Sequence, residues 1–170
     1  VKLPFKPSMM SIRRKSVKWI ILHHTAEIYK IPDAKIDNPK PQIEFLKKGV
    51  LELKQPDINY HYIIDKIKED YEVILGRPLV CLCEWDDIDS MINERSLHIA
   101  LMGSYDTKQP EKRMYEILAY KILNPLMKLF GLTPERIKFH RDVSIDDITC
   151  PGELVNQQVI ISQVKRFMLK

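Results

Sequence analysis

Lys18-Trp19-Ile20-Ile21-Leu22-His23-His24 decides how the rest of this chain is read. An unbroken apolar run of branched side chains is the pattern of a short strand buried on both faces. It stops at His23, His24 and Thr25, so polar chemistry sits where the strand ends. Working outward, Asn59 to Asp65 and Tyr71 to Leu75 read as two strands joined by the charged turn Lys66 to Asp70, a hairpin that Gly76-Arg77-Pro78 closes off. Leu97 to Met102, stopped by Gly103, is a fourth strand, and Ile137 to His140 is a short last one.

Helices separate these strands. Tyr29 to Pro41 carries Pro32, Pro39 and Pro41 among polar residues, a surface loop leading into a short helix over Gln42 to Lys48 that Gly49 ends. After Pro110, apolar side chains at Met114, Ile117, Leu118, Ile122 and Leu126 give Glu111 to Phe130 the stripe of a long amphipathic helix, which Pro125 should kink or divide. Pro151 to Lys170 fits a terminal helix with Pro151 as its first residue. Strands alternating with helices predict the α/β class, a mixed central sheet flanked by helices. A length of 170 residues suits a single domain. Residues 1–16, with Pro4, Pro7 and basic side chains but no periodicity, read as an N-terminal arm, and residues 17–170 as the domain.

Composition narrows the partners. The net charge of +4 is gathered partly at Arg13, Arg14, Lys15 and Lys18 and at the C-terminal end, without the interleaved aromatics of a nucleic-acid surface. No apolar run approaches the roughly 18 residues of a membrane span, which argues against membrane insertion. Residues Val1 to Met10 lack an apolar segment followed by a small-residue cleavage site, so a signal peptide is expected to be absent or removed. Cys81, Cys83 and Cys150 are an odd set and make no disulfide framework. Cys81 and Cys83 lie in an apolar stretch and read as core thiols.

Three groups suited to a divalent metal fall at strand or loop ends: His23, His140 and Cys150. Two imidazoles and a thiolate leave a fourth position for water, the arrangement that separates catalytic zinc from a closed structural site. The loop from His140 to Cys150 is long enough to return the sulfur to the same ion.

The surrounding strings carry more. His23-His24-Thr25-Ala26, Asn59-Tyr60-His61-Tyr62-Ile63-Ile64, Gly76-Arg77-Pro78, Asn93-Glu94-Arg95-Ser96-Leu97-His98-Ile99, and His140-Arg141-Asp142-Val143 with Cys150-Pro151-Gly152 occur in this order across residues 17 to 155. In sequence they resemble the type 2 N-acetylmuramoyl-L-alanine amidases, a family that includes phage lysozyme-type amidases and peptidoglycan recognition proteins. The resemblance implies that His23, His140 and Cys150 hold Zn2+, that His24 plays a supporting part, and that Tyr60 projects into the site; strand alternation then turns His61 to the other side. It implies hydrolysis of the amide between N-acetylmuramic acid and L-alanine in peptidoglycan, by a wall-lytic or wall-remodelling enzyme of phage or bacterial origin. A domain that grips muropeptides without cutting them is the alternative.

The expected partner is therefore peptidoglycan or a muropeptide, bound by a monomer acting at the cell wall, with no nucleic acid. The chain departs from the family pattern in three places. Ile148 stands where many relatives carry lysine or threonine, with Thr149 one place later as the catalytic hydroxyl candidate. Ala100 occupies the position of a glutamate base used by some relatives, and His98 replaces a usual glycine.

Overall fold

A computed structural model describes residues 10–26 and 58–168. The expected loop at Tyr29–Pro41 and helix at Gln42–Lys48 lie outside the described residues. Five strands form one mixed sheet: β1 (Trp19–His24), β2 (Tyr62–Ile67), β3 (Asp70–Leu75), β4 (Ser96–Leu101) and β5 (Ile137–Phe139), in the order β3-β2-β4-β1-β5. All neighbours run parallel except the β2–β3 hairpin. β4 lies between β1 and β2 and is buried along its whole length, its polar Ser96 and His98 included.

The hairpin is tighter than the charged residues suggested. Ile67 pairs directly with Asp70, leaving a two-residue turn at Lys68 and Glu69, with Lys68 in the left-handed region at φ 56°. Buried Ile67 extends the strand beyond Lys66, because the alternation of buried and exposed side chains continues through the charged stretch. Tyr60 and His61 precede β2 rather than belonging to it.

One face of the sheet carries Ile20, Leu22, Ile64, Leu97, Ile99 and Leu101 into the main core. Against it packs a helical layer that begins at α2 (Lys112–Ile117), α1 being the single turn Ser90–Asn93. After α2 the helix widens into a π-helical stretch, Leu118–Leu123, and resumes as α3 (Asn124–Phe130). Pro125 has no N–H to return to the carbonyl four residues earlier, and the wider turns before it absorb that lost bond. Gly131, at φ 63°, ends α3.

The last helix, α4, spans Gln157–Met168, six residues later than the proline had suggested. Its cap is Asn156, whose Oδ1 accepts from the backbone N–H groups of Gln158 at 2.9 Å and Val159 at 3.2 Å. Pro151 and Gly152 serve a turn instead. Gly152 has φ 109°, and a Cβ there would lie 2.6 Å from the Tyr105 backbone carbon. Among the described residues, no helix is long and apolar enough to cross a membrane.

The opposite face of the sheet holds a smaller cluster that includes Ile63, Ile74, Ala100 and Tyr60. Asp65 of β2 is 5% exposed, and its Oδ2 has no hydrogen-bond partner among the described residues. Burial pushes its pKa up to about 6. A raised carboxyl pKa favours the folded state while the group is protonated, so this contribution is full below the unfolded value near 4 and is lost as pH rises through about 6. Asp65→Asn is expected to raise Tm by roughly 3–8 °C at pH 7 and by little near pH 3.5. Thermal unfolding at the two pH values checks this, and an equal shift at both would contradict it.

Candidate metal centre

Parallel pairing brings the ends of β1 and β5 together. Leu22 lies opposite Phe139, so the next residues, His23 and His140, emerge side by side. Their ring centroids are 4.4 Å apart. Cys150 returns on the loop beyond His140, with Sγ 4.0 Å from His23 Nδ1. One donor atom from each of His23, His140 and Cys150 lies within 4.8 Å of the other two. Ligand atoms sharing a tetrahedral zinc stand about 3.5 Å apart, a difference that small side-chain rotations close.

Each donor is held from behind. His140 Nε2 lies 2.8 Å from Asp87 Oδ2, off the line of a good hydrogen bond but close enough to feel the carboxylate. Asp87 is fixed in turn by the Ser144 hydroxyl, which donates at 2.8 Å. The backbone N–H of His24 donates to Cys150 Sγ at 3.4 Å, and His24 Nδ1 accepts from the Tyr105 N–H at 3.3 Å. Arg141 clasps the cysteine loop: its backbone N–H donates to the Cys150 carbonyl at 2.9 Å, and its guanidinium to the carbonyls of Thr149 and Gly152 at 3.0 Å each.

The aromatic wall is built from a different segment. Trp85 stacks on His23 with centroids 4.5 Å apart and planes 19° from parallel. Asn93 shapes this loop by donating to the carbonyls of Trp85 and Ile88 at 2.8 and 2.9 Å. Tyr60 is buried and meets His23 edge-on at 5.5 Å. Its position depends on Gly76 and Arg77, whose N–H groups donate to the carbonyls of His61 and Tyr60 at 2.9 and 2.7 Å. A Cβ at Gly76 would overlap the Tyr60 carbonyl oxygen.

His61 turns away from Tyr60, toward Cys81 and Cys83. Both cysteines are buried, and desolvation raises both thiol pKa values. Ala100 is buried in the sheet and brings no titratable group to the site. Thr149 is exposed, and its hydroxyl makes no hydrogen bond among the described residues. Its carbonyl is engaged by Arg141 and by the Gly152 N–H. Sequence reasoning missed Asp87 and Trp85. Nothing in Glu84-Trp85-Asp86-Asp87 separates Asp87 from its acidic neighbour; the loop after His140 makes the distinction.

Electrostatics favour lone pairs over protons on the rings. Burial, followed by the neighbouring imidazoles His98 and His140, holds His23 well below the usual histidine range. Burial also lowers His140, against the opposing pull of Asp87. The Cys150 thiol is pushed up to about 12, chiefly by burial. Two neutral imidazoles and a thiol that needs a nearby cation to ionise are a donor set suited to zinc.

Asp87→Asn is expected to weaken zinc binding about 10- to 100-fold, because it removes the negative charge behind His140. Competition with a chelator measures this, and unchanged affinity would remove Asp87 from the support of the site.

Comparison with known proteins bears on the fold and the family. No curated protein matches the sequence. An endolysin N-acetylmuramoyl-L-alanine amidase from Clostridium intestinale is similar in structure with TM-score 0.72 and 19% identity, over 97% of this chain and 94% of that one. Drosophila peptidoglycan recognition protein SD aligns with TM-score 0.68 and 22% identity, over 88% of this chain and 83% of that one. The endolysin of a Thermus scotoductus bacteriophage gives 0.66 and 21%, over 94% and 92%. These likenesses establish the fold. The family model described as N-acetylmuramoyl-L-alanine amidase matches residues 13–153, and the chain belongs to that family.

Proposed function

We propose that this protein is a zinc-dependent hydrolase of the amide bond between N-acetylmuramic acid and L-alanine in peptidoglycan. The observation that carries the reading is the meeting of His23, His140 and Cys150 at one point, each backed by its own support. A zinc ion held there would supply a nucleophilic water at neutral pH and polarise the scissile carbonyl.

The chain's own residues do the rest. Neutral His23 and His140 present lone pairs, and the His24 N–H steadies the sulfur of Cys150. Trp85, stacked over His23, shields that side of the site from water. Tyr60, at the wall beside His23, is assigned to hydrogen-bond the developing oxyanion and to pass a proton to the leaving amine of L-alanine. Thr149, exposed next to Cys150, is assigned a hydroxyl at the rim of the same site. The substrate is peptidoglycan or a muropeptide, met at the cell wall by a monomer.

Two variants test this against purified peptidoglycan. The wild type is expected to release free stem peptides, Cys150→Ala to release none, and Tyr60→Phe to lose about 10²-fold in kcat with little change in KM. Muropeptide chromatography with zinc analysis of each protein is the measurement. Zinc and peptidoglycan binding without release would make this a recognition module and point to Ile148; wild-type protein without zinc would overturn the metal reading.

A further inference from the structure

His98 lies beside the metal triad without belonging to it. β4 alternates so that His98 and Ala100 lie on the face opposite Leu97, Ile99 and Leu101. Parallel pairing sets Ile21 against His98 and His23 against Ala100, which brings His98 under the ring of His23. His98 Nδ1 and His23 Nε2 are 2.9 Å apart, and both side chains are fully buried.

The backbone of His98 is clamped as well. Its N–H donates to His61 Nδ1 at 2.9 Å, and its carbonyl accepts from the His61 N–H at 2.8 Å. Because His61 Nδ1 accepts, the His61 proton resides on Nε2, which faces the Cys81 carbonyl at 3.1 Å. His98 is therefore anchored on the side away from His23. Its own Nε2 is buried without a hydrogen-bond partner among the described residues.

We propose that His98 is a positioning residue for the metal centre: its Nδ1 lone pair accepts the proton of His23 Nε2 and holds His23 in the tautomer whose Nδ1 lone pair faces Cys150 and His140. The inference rests on the reading of His23, His140 and Cys150 as metal ligands. A histidine that binds a cation through Nδ1 must carry its proton on Nε2, and a proton buried this deeply needs an acceptor. His98 Nδ1 is that acceptor. The opposite polarity, with His98 donating, would place the His23 proton on Nδ1 and remove the ligating lone pair.

The assignment also fixes the state of the unpartnered atom. Once Nδ1 accepts, the proton of His98 must sit on Nε2, the atom without a partner. A buried donor left unsatisfied is destabilising, and its retention beside a ligand is understandable as the cost of orienting that ligand. His98 thus backs His23 as Asp87 backs His140, through a hydrogen-bonding lone pair where Asp87 offers a negative charge.

Asparagine and glutamine separate this role from bulk or polarity. His98→Asn keeps an amide near the place of Nδ1, whereas His98→Gln moves it toward the place of Nε2. Zinc affinity is measured by chelator competition for the wild type and both variants, together with the visible spectrum of the cobalt-substituted proteins. The wild type and His98→Asn are expected to agree within about threefold and to share one cobalt spectrum, while His98→Gln binds about 10- to 100-fold more weakly. Equal affinities in the two variants, or the reverse order, would overturn the role of His98 while leaving the triad intact. A wild type that binds no zinc would overturn the triad and this role with it.

Discussion

The register of β1 against β5 is the constraint on which the site depends. With Leu22 opposite Phe139, two parallel strands stop side by side and deliver His23 and His140 to the same point. A slip of one residue would turn either imidazole to the other face of the sheet. Packing guards against that slip: Ile20 and Leu22 are committed to the main core, and a slip would exchange their places with Ile21 and His23 on the other buried face. Hydrophobic packing on the helical face therefore sets polar geometry at the strand ends.

Placing charge-capable groups this deep has consequences that the surrounding residues manage. Buried imidazoles are neutral, and a buried thiol holds its proton until a cation arrives. Each needs a partner behind it, and three separate segments supply them: β4 through His98, the Trp85 loop through Asp87, and the end of β1 through the His24 N–H. The site is a meeting of loops braced on a rigid sheet. Arg141 and Gly152 show the same logic for the cysteine loop, one clasping its carbonyls and the other admitting Tyr105 where any side chain would collide.

Much of this was legible in the sequence because burial leaves a pattern. Apolar runs marked β1 and β4, and the histidines at the ends of β1 and β5 were visible as candidates before any contact was known. Cys150 joined them because the loop after His140 is long enough to return its sulfur, and the resemblance of the surrounding strings to a family strengthened the set. Features set by tertiary contact were not legible. Asp87 looks like its neighbours until Ser144 and His140 approach it, and the link between His98 and His23 depends on which strands are adjacent. Helix α4 starts late because Gly152 is used for a turn against Tyr105, and the capping role of Asn156 then prevails over the proline signal.

The proposed function requires that one zinc ion be held by ligands converging from two strand ends and one loop. X-ray absorption at the zinc edge of the loaded protein tests it most directly. One sulfur at about 2.3 Å and two histidine nitrogens at about 2.0–2.1 Å, with one further light atom, is the predicted shell. A shell without sulfur, or one with two or more sulfurs, would contradict it.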